Sequence, residues 1–529
     1  MQAEVYLRPE VKIEPLVSGW YAWTHLLSPA QHALNLVRRQ LPLLQSFVKN
    51  PAVHLAAATD PKLFGGPFVQ LCSEQLPAVR QLIGRMERVA QRRVELGRDL
   101  HELDRQLQET ANGYSLSEFY ARIPESLRGL VEFVYDLNHH PKLRVYEELL
   151  YDEFRDSDGQ EVLLSTIADE SRPFFMSTPR IPSEDAVVLP IPFADGRLDR
   201  LSAMRTRAAP LASIEDSLGV DARQRAAFAR FFTSQEPPRR AVDHIGSTVR
   251  LRYCGHACVL IQSESTTILM DPLLATHIDC SDRAFTLHDL PDHIDYVVLS
   301  HNHQDHCVPE LLIQLRHRIG RVLVPANNRG NIADPSMTLM LRHLGFERVH
   351  ALTAFDQVPC GDGCITSLPF PGEHVDLDID SRQGILIEIR NRRFAFLVDS
   401  DGWDSALFGR IARRVGRRLD ALFIGMECHG APLSWLYGPL LTRPISRRND
   451  ESRRLSGLDS ARAWSVLHEF DAANVFVYAM GQEPWLRHIM GLQYTPESIQ
   501  LKEVATFLQR CRDARIAAES LFMSRELEF

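Results

Sequence analysis

The stretch "SHNHQDHCVPELL", residues 300–312, places three histidines and an aspartate within six positions, directly after the apolar run "IDYVVL" at 294–299. An almost uninterrupted apolar run of this length is typical of a strand that is buried on both faces. His301 and His303 alternate and can point to one side, while the turn that follows directs Asp305 and His306 to another. This spacing predicts a site for two adjacent metal ions.

The residue types narrow the chemistry of this site. Imidazole binds zinc, iron, copper or nickel, and a carboxylate between two ions adds charge and bridging capacity. A single histidine is more often a packed core residue, and the alternative interpretation of the whole stretch is a solvated polar loop. Four ligand-type side chains after a buried strand favour the metal site.

Composition limits the class of protein. The chain has 529 residues, 45% hydrophobic and 24% charged, which is typical of a globular protein with two or three domains. A formal charge of -9 argues against nucleic acid as a partner. No apolar run reaches membrane-spanning length, and the opening "MQAEVYLRPEVKIEPLV" lacks a basic segment followed by an apolar one, so we expect a cytoplasmic protein without membrane contact. Nine cysteines without a C-x-x-C pair indicate reduced thiols.

The first half of the chain has the periodicity of helices, with apolar residues recurring every three or four positions through 28–48 and 75–108. The apolar positions on one face of the second stretch are Met86, Val89, Leu96, Leu100, Leu103 and Leu107. We interpret this face as a core-facing stripe rather than a dimer seam, because seams require more sustained heptads. Proline, charge and glycine cluster at 233–247, which predicts a mainly helical domain over 1–245 and a second domain over 246–529.

The second half alternates strands and helices after an opening of short β-rich runs. "STVRLRYCG", "ACVLIQS" and "TTILMDPLL" are separated by turn signals and predict a meander. Strand "IDYVVLS", helix "VPELLIQLRHRI" and strand "RVLVPA" then follow in order. A hairpin sheet that continues into strand–helix units indicates an α/β fold.

The histidine-rich motif resembles that of a known fold. "HNHQDH" matches the H-x-H-x-D-H signature of the metallo-β-lactamase fold, and "YCGHACVLIQSESTTILMDPLL" is similar to its opening hairpins. "VDSDGW", residues 398–403, resembles the segment whose aspartate, here Asp399, bridges the two metals. Over residues 246–490 the resemblance implies an αββα sandwich with the metals at one edge, between two sheets.

Two positions depart from the zinc hydrolases of that fold. Where those enzymes supply a histidine to the first metal, "LPFPGEHVDLD" offers Glu373, with His374 as the neighbouring alternative. Where they supply a late histidine to the second metal, "SRRLSGLDS" has Leu458. A set of ligands that supplies mainly oxygen atoms and leaves coordination positions open favours iron or manganese. Oxygen activation requires such open coordination positions.

With these departures, the chain is similar to the diiron β-hydroxylases of nonribosomal peptide pathways. The similarity includes the opening "RPEVKIEPLVSGWYAWTHLLSPA", the glutamate of "PGEH" and the length of the chain. It implies a nonheme diiron monooxygenase that hydroxylates the β-carbon of an amino acid held as a thioester on a peptidyl carrier protein. Dioxygen and electrons from a donor protein or reductase are consumed, and the N-terminal domain is implied to mediate homodimerisation and carrier docking.

The resemblance also implies roles for individual residues. The implied ligands are His301, His303 and Glu373 for the first iron, Asp305 and His306 for the second, and Asp399 as the bridge. Ligand side chains need partners that fix their orientation, and we expect these to be His256, Glu427 and His429. For each of the three, the alternative is an ordinary structural polar residue.

An arginine-rich loop is a candidate docking site for the carrier. "LTRPISRRNDESRRLSG" contains Arg443, Arg447, Arg448, Arg453 and Arg454. Arginine suits phosphate and acidic side chains, whereas the alternative is an exposed charged loop without a partner. Two other functions remain open from the sequence: a zinc- or manganese-dependent hydrolase of a lactone or phosphodiester, and a non-catalytic scaffold. Metal content distinguishes the three.

Overall fold

The structure, a computed structural model, describes residues 4–154, 159–240, 243–244, 246–276 and 284–529. The predicted boundary at residue 245 and Cys280 lie outside the described residues. The other eight cysteines are free thiols. Among the described residues, no helix combines the length and the apolar character needed to cross a bilayer.

The N-terminal half is mainly helical, as the periodicity predicts. Its helices are α1 Thr24–Leu27, α2 Pro29–Asn35, α3 Leu41–Lys49, α4 Pro51–Thr59, α5 Leu76–Val89, α6 Gln91–Thr110, α7 Glu147–Glu153, α8 Gly196–Ala203, α9 Leu211–Leu218 and α10 Arg225–Ala229. Its short strands are β1 Glu4–Leu7, β2 Lys12–Val17, β3 Trp20–Tyr21, β4 Val131–Tyr135, β5 Pro141–Val145, β6 Gln160–Ser165, β7 Val187–Leu189, β8 Ala209–Pro210 and β9 Phe232–Thr233. Four of these strands form a sheet in the order β3-β2-β6-β7.

The predicted apolar stripe over 75–108 is correct except at one position. The segment forms two helices rather than one, because the chain leaves helical geometry at Ala90 (φ -101°, ψ 21°). Met86 and the four leucines of α6 are buried, whereas Val89 is 41% exposed. Val89 is the last residue of α5, so the break shifts the helical phase and turns its side chain to solvent.

The C-terminal half is an αββα sandwich, as the resemblance implies. Its strands are β10 Arg250–Tyr253, β11 Val259–Gln262, β12 Thr267–Met270, β13 Ile294–Val298, β14 Ile319–Pro325, β15 Val349–Leu352, β16 Gln357–Cys360, β17 Gly363–Leu368, β18 Gly384–Ile389, β19 Arg392–Phe396, β20 Arg418–Leu419, β21 Ala421–Gly425, β22 Asp471–Ala472, β23 Asn474–Tyr478, β24 Ala517–Ser520 and β25 Arg525–Glu528. Its helices are α11 Pro309–Leu315, α12 Met337–His343, α13 Ser405–Val415, α14 Leu433–Tyr437, α15 Arg447–Ser452, α16 Ser460–Glu469, α17 Arg487–Met490 and α18 Ile499–Asp513.

Two seven-stranded sheets face each other across an apolar core. The first has the order β15-β14-β13-β12-β11-β10-β25 and the second β16-β17-β18-β19-β21-β23-β24. Side chains from both sheets, such as Val298 and Phe423, share one buried cluster. Helices α13, α16 and α18 cover the outer face of the second sheet, where Phe408, Val466 and Phe507 pack.

The N-terminal half covers the other side and is continuous with the second domain. Trp20 and Trp23 belong to the same buried cluster as Leu312 of α11 and Leu269 of the first sheet. Burying apolar surface is the main stabilising contribution in folding, and here much of it lies between the halves. The two halves are therefore stabilised together.

Glu147, at the start of α7, is a polar contact between the halves. Its Oε1 accepts a hydrogen bond from the Ser336 amide at 2.8 Å, and its Oε2 accepts one from the Asn327 side chain at 3.1 Å. Burial raises the pKa of Glu147 to about 7, from an ordinary value of 4.5. The folded protein therefore holds a proton here that the unfolded chain releases above about pH 4.5.

We expect Glu147→Gln to change the pH dependence of stability. The raised pKa means that stability from the protonated carboxyl is present below pH 4.5 and lost as pH rises through about 7, by roughly 3 kcal/mol at most. Thermal unfolding at pH 5 and pH 8 checks this: relative to the wild type, the glutamine variant should gain stability at pH 8. Glu148→Gln, at an exposed neighbour, is the control. An equal offset at both pH values would contradict the assignment.

Candidate metal centre

The predicted ligands lie at one edge of the sandwich because they follow the carboxyl ends of strands. His301 comes three residues after β13, which pairs in parallel with its neighbours β12 and β14. In the second sheet, Asp399 follows β19 and Glu427 follows β21, which are parallel to each other. Ligands in α/β folds bind at this end of parallel strands, and here two sheets contribute side chains.

One group of ligand atoms comes from His301, His303 and Glu373, whose donor atoms all lie within 4.8 Å of one another. Nδ1 of His303 lies 2.7 Å from Oε1 of Glu373, and Nε2 of His301 lies 4.0 Å from the same oxygen. All three side chains are buried. The glutamate therefore takes part in the same donor group as both histidines.

A second group lies beside the first. Nε2 of His306 is 2.8 Å from Oδ2 of Asp399 and 3.6 Å from Oδ2 of Asp305. The same oxygen of Asp399 is 3.7 Å from Nε2 of His301. The carboxylate of Asp399 thus lies between histidines of both groups, as a side chain shared by two ions would.

Each motif histidine uses its other ring nitrogen to contact a protein group. Nδ1 of His301 lies 2.9 Å from the Ser300 hydroxyl, and Nδ1 of His306 lies 2.9 Å from the Asp271 carboxylate. Nε2 of His303 lies 3.2 Å from the Tyr437 hydroxyl. Such contacts fix the tautomer and orientation of a metal-binding imidazole, so the opposite nitrogen of each ring faces the centre.

Asp271, Ser300 and Tyr437 were not among the residues predicted from the sequence. Ser300 directly precedes the motif, and Asp271 follows β12, the parallel neighbour of β13. The shared sheet edge was therefore a usable signal for Asp271. Tyr437 ends α14, and no sequence pattern connects it to residue 303.

The donor set fits a pair of cations. Asp305, Glu373, Asp399 and Glu427 place four buried carboxylates at one site. Nε2 of His301 and Oδ1 of Asp305 are buried and have no hydrogen-bond partner among the described residues. Buried charges and polar atoms are costly unless they are paired or coordinate a metal. Two divalent ions would satisfy both the charge and the unpaired atoms.

The pKa values of the side chains at this site reflect the crowding of the buried carboxylates. Burial, followed by the neighbouring carboxylates, raises the pKa of Glu373 well above its ordinary value. Burial lowers the pKa of His303 to about 4, so this ring is neutral, as a ligand must be. Although burial opposes it, Asp399 and Asp305 hold the pKa of His306 well above its usual range. The neighbouring carboxylates thus favour the charged form of this ring.

His374, the alternative to Glu373 as a ligand, packs against His303 of the first group. Its ring stacks on that of His303, with centroids 4.5 Å apart and planes at 25°. The ring is fully buried, and neither nitrogen has a hydrogen-bond partner among the described residues. Glu373, and not His374, belongs to a donor group. Leu458, at the position of the late histidine of hydrolases, is buried in the apolar layer on the second sheet.

The three expected orienting residues have different surroundings. Nε2 of His256 lies 3.1 Å from Oδ2 of Asp305, and the ring is 1% exposed. Glu427 is 9% exposed, and burial and then Glu373 raise its pKa well above its ordinary value. His429, in contrast, is exposed and uses its backbone carbonyl to accept a hydrogen bond from Gln500. The expectation for His429 was wrong, because the chain turns outward after Glu427.

We expect Tyr437→Phe to weaken metal binding by about 10- to 100-fold, because His303 would lose the group that orients its ring. Competition with a chromogenic chelator measures the affinity. Tyr151→Phe is the matched control: this buried tyrosine donates a hydrogen bond to Ser28 at 3.3 Å in the N-terminal half. Equal metal affinity in the Tyr437 variant and the wild type would contradict the role of the hydroxyl.

Comparisons with known proteins cover both halves. Residues 6–237 match the family described as the diiron non-heme β-hydroxylase N-terminal domain, and residues 250–402 match a β-lactamase superfamily domain. The chain is 32% identical over 532 residues to the 4-amino-L-phenylalanyl-[CmlP-peptidyl-carrier-protein] 3-hydroxylase of Streptomyces venezuelae, with 98% of this chain and 99% of the relative covered.

Solved structures agree with the sequence comparisons. The crystal structure of CmlA, a diiron β-hydroxylase from Streptomyces venezuelae, matches with a TM-score of 0.92 at 32% identity and covers 100% of both chains. A variant of the CmlA β-hydroxylase matches with a TM-score of 0.88 at 32% identity, over 99% of this chain and 100% of the other. End-to-end similarity of this extent includes the N-terminal half as well as the metal-binding domain. The chain belongs to the diiron non-heme β-hydroxylase family.

Proposed function

We propose that this protein is an O2-dependent diiron monooxygenase that hydroxylates the β-carbon of an amino acid held as a thioester on a peptidyl carrier protein of a nonribosomal peptide synthetase. The observation that carries the proposal is the carboxylate-rich double donor group, in which Glu373 replaces a histidine of the hydrolases. The Streptomyces venezuelae relative, 99% of whose length is covered by the match, is named for such a reaction.

The proposed ligands come from three overlapping donor groups, one of which consists of His256, Asp305 and His306. His301, His303 and Glu373 hold the first iron, Asp305 and His306 hold the second, and Asp399 lies between them. When bound, an iron pair supplies the activation of dioxygen with two external electrons, which places one oxygen atom on the substrate and the other in water. The protein supplies position, charge and protons for this chemistry.

Two further side chains act beside the ligands. His256 holds the Asp305 carboxylate in place through its Nε2 atom. The Glu427 carboxyl is buried, and burial and then Glu373 raise its pKa, which favours its protonated form. A carboxyl in this position suits ligand exchange or proton transfer during turnover.

The two halves of the chain are proposed to have different roles. We assign carrier docking and homodimerisation to residues 1–245 and catalysis to residues 246–529. A reductase or small electron-transfer protein would deliver the electrons, and a cytoplasmic location matches the reduced thiols.

The arginine-rich loop divides into anchored and free residues. The Arg453 side chain donates a hydrogen bond to the Val375 carbonyl at 2.8 Å, and that of Arg454 donates one to the Gly430 carbonyl at 2.7 Å. Arg443 donates to the carbonyl of Gln108. Arg447 and Arg448 are exposed and lack ion pairs to the residues that the structure describes. Within this loop, only these two arginines are therefore proposed to contact the carrier, in addition to the surface of residues 1–245.

Metal content and product analysis test the function. Protein expressed with iron should hold about two irons per chain and should add one oxygen atom from isotopically labelled dioxygen to an aminoacyl carrier protein. Glu373→Ala should abolish this addition, because the first donor group loses its carboxylate. Tightly bound zinc with ester or phosphodiester hydrolysis, and no hydroxylation, would support the hydrolase alternative instead.

Replacing both Arg447 and Arg448 with alanine should weaken binding of the loaded carrier by about tenfold at low salt, with a smaller difference at high salt, because exposed charges are screened. Calorimetry or fluorescence anisotropy at two ionic strengths measures the effect. Replacing the exposed Arg410 and Arg413 on α13 removes the same charge from another helix and is the control. Equal weakening in both double variants would indicate a general effect of charge.

A further inference from the structure

The N-terminal half contacts the ligand loop itself. The hydroxyl of Thr24, in α1, donates a hydrogen bond to the backbone carbonyl of Asn302 at 2.9 Å. Both residues are 2% exposed. Asn302 separates His301 from His303, so this single bond fixes the backbone between two proposed ligands of the first iron.

A buried ion cluster lies beside this contact. Its members are Lys12, Glu14, Asp169, Arg172, Arg180 and Glu310. Lys12 Nζ lies 2.8 Å from Asp169 Oδ1, and Arg180 Nε lies 2.9 Å from Glu14 Oε1. Arg172 Nη1 lies 2.8 Å from Glu310 Oε2. No member is more than 7% exposed, so water does not screen these charges.

The balance of charge in the cluster depends on one residue of the metal-binding half. The N-terminal half contributes three cations but only two carboxylates, Glu14 and Asp169. The third carboxylate is Glu310, in the first turn of α11. An uncompensated buried charge is strongly unfavourable, so the cluster requires Glu310 at this place. Glu310 lies four residues after His306, and α11 is therefore held at the end nearest the ligands.

Two further hydrogen bonds extend the same contact. The Tyr21 hydroxyl donates to Oε2 of Glu310 at 2.7 Å. Oδ2 of Asp169 accepts a hydrogen bond from the Thr276 amide at 2.9 Å. Thr276 lies five residues after Asp271, the partner of His306. The cluster thus holds both the helix that follows the ligand loop and the segment that supports one of its histidines.

We propose that Thr24 and Glu310 are positioning residues of the metal centre, through which the N-terminal half holds the ligand loop ready for metal. This proposal rests on the iron pair described under the proposed function. A loop ordered before metal arrives loses little conformational freedom on binding, so the metal is held more tightly. The N-terminal half is then part of the metal centre as well as a surface for partners.

Iron release from the full-length, iron-loaded protein tests the proposal. Glu310→Gln keeps the size of the side chain but leaves the cluster with an excess positive charge, and Thr24→Val removes the hydroxyl and keeps the shape. Both should release iron to a chelator at least about tenfold faster than the wild type, the range expected when groups supporting a metal ligand are lost. Thr24→Ser should restore the wild-type rate, because the hydroxyl returns.

A matched variant separates positioning from general stability. Asp199→Asn breaks another ion pair between the halves, in which Arg316 Nε lies 3.0 Å from Asp199 Oδ1 beyond the far end of α11. It should release iron within about twofold of the wild-type rate, at whatever cost to the unfolding temperature. In steady-state assays, Thr24→Val should lower kcat and leave the KM for the carrier-bound substrate unchanged.

Two results would overturn the proposal. One is a wild-type release rate in both Glu310→Gln and Thr24→Val, whatever their unfolding temperatures. The other is equally fast release in Asp199→Asn, which would assign the effect to loss of stability. If Glu310→Gln does not fold, Thr24→Val decides the question. Iron stoichiometry of the wild type tests the proposed function separately, because it does not depend on any of these variants.

Discussion

The rest of the site depends on the burial of four carboxylates at one edge of the sandwich. Asp305, Glu373, Asp399 and Glu427 are each at most 9% exposed, and burial, followed by repulsion from the neighbouring carboxylates, raises the pKa of the two glutamates. A protein interior tolerates such a group only when protons or cations neutralise it. The three motif histidines do not supply enough charge, since two of them have lowered pKa values. A pair of metal ions would neutralise the remaining charge and occupy the unpaired donor atoms.

A second group of buried charges is also neutralised, but by side chains of opposite charge instead of metal ions. In the cluster around Arg172, each carboxylate lies within 3.4 Å of a guanidinium or ammonium group. One cluster is balanced by side chains and the other by ions that the protein must acquire. Because α11 lies between them, the balanced cluster gives the metal site a rigid neighbour. Rigid support of this kind is what keeps ligand distances constant when the charge on a metal changes.

Features formed by residues close together in the sequence could be predicted, whereas contacts between distant segments could not. Four proposed ligands lie within six residues, so their spacing alone indicated a metal site, and the α/β order of the second half followed from strand and helix periodicity. Tyr437 and Thr24 contact the same loop from segments more than a hundred residues away, and no pattern marks them. The choice between Glu373 and His374 needed side-chain directions, which adjacent positions in a loop do not reveal. Val89 is exposed next to the helix break at Ala90, and this break could not be predicted because no proline or glycine marks it.

The last described strand has a consequence for how the chain folds as it is made. β25 pairs in antiparallel register with β10, with Leu527 opposite Leu251, and so completes the edge of the first sheet. Residues 525–528 leave the ribosome long after the strands they join, and until then β10 is an open edge with unpaired backbone groups. The nascent chain must therefore keep this edge from pairing with other strands during the interval between the synthesis of β10 and that of β25. The first sheet gains this strand more than two hundred residues after its metal-binding loop has been made.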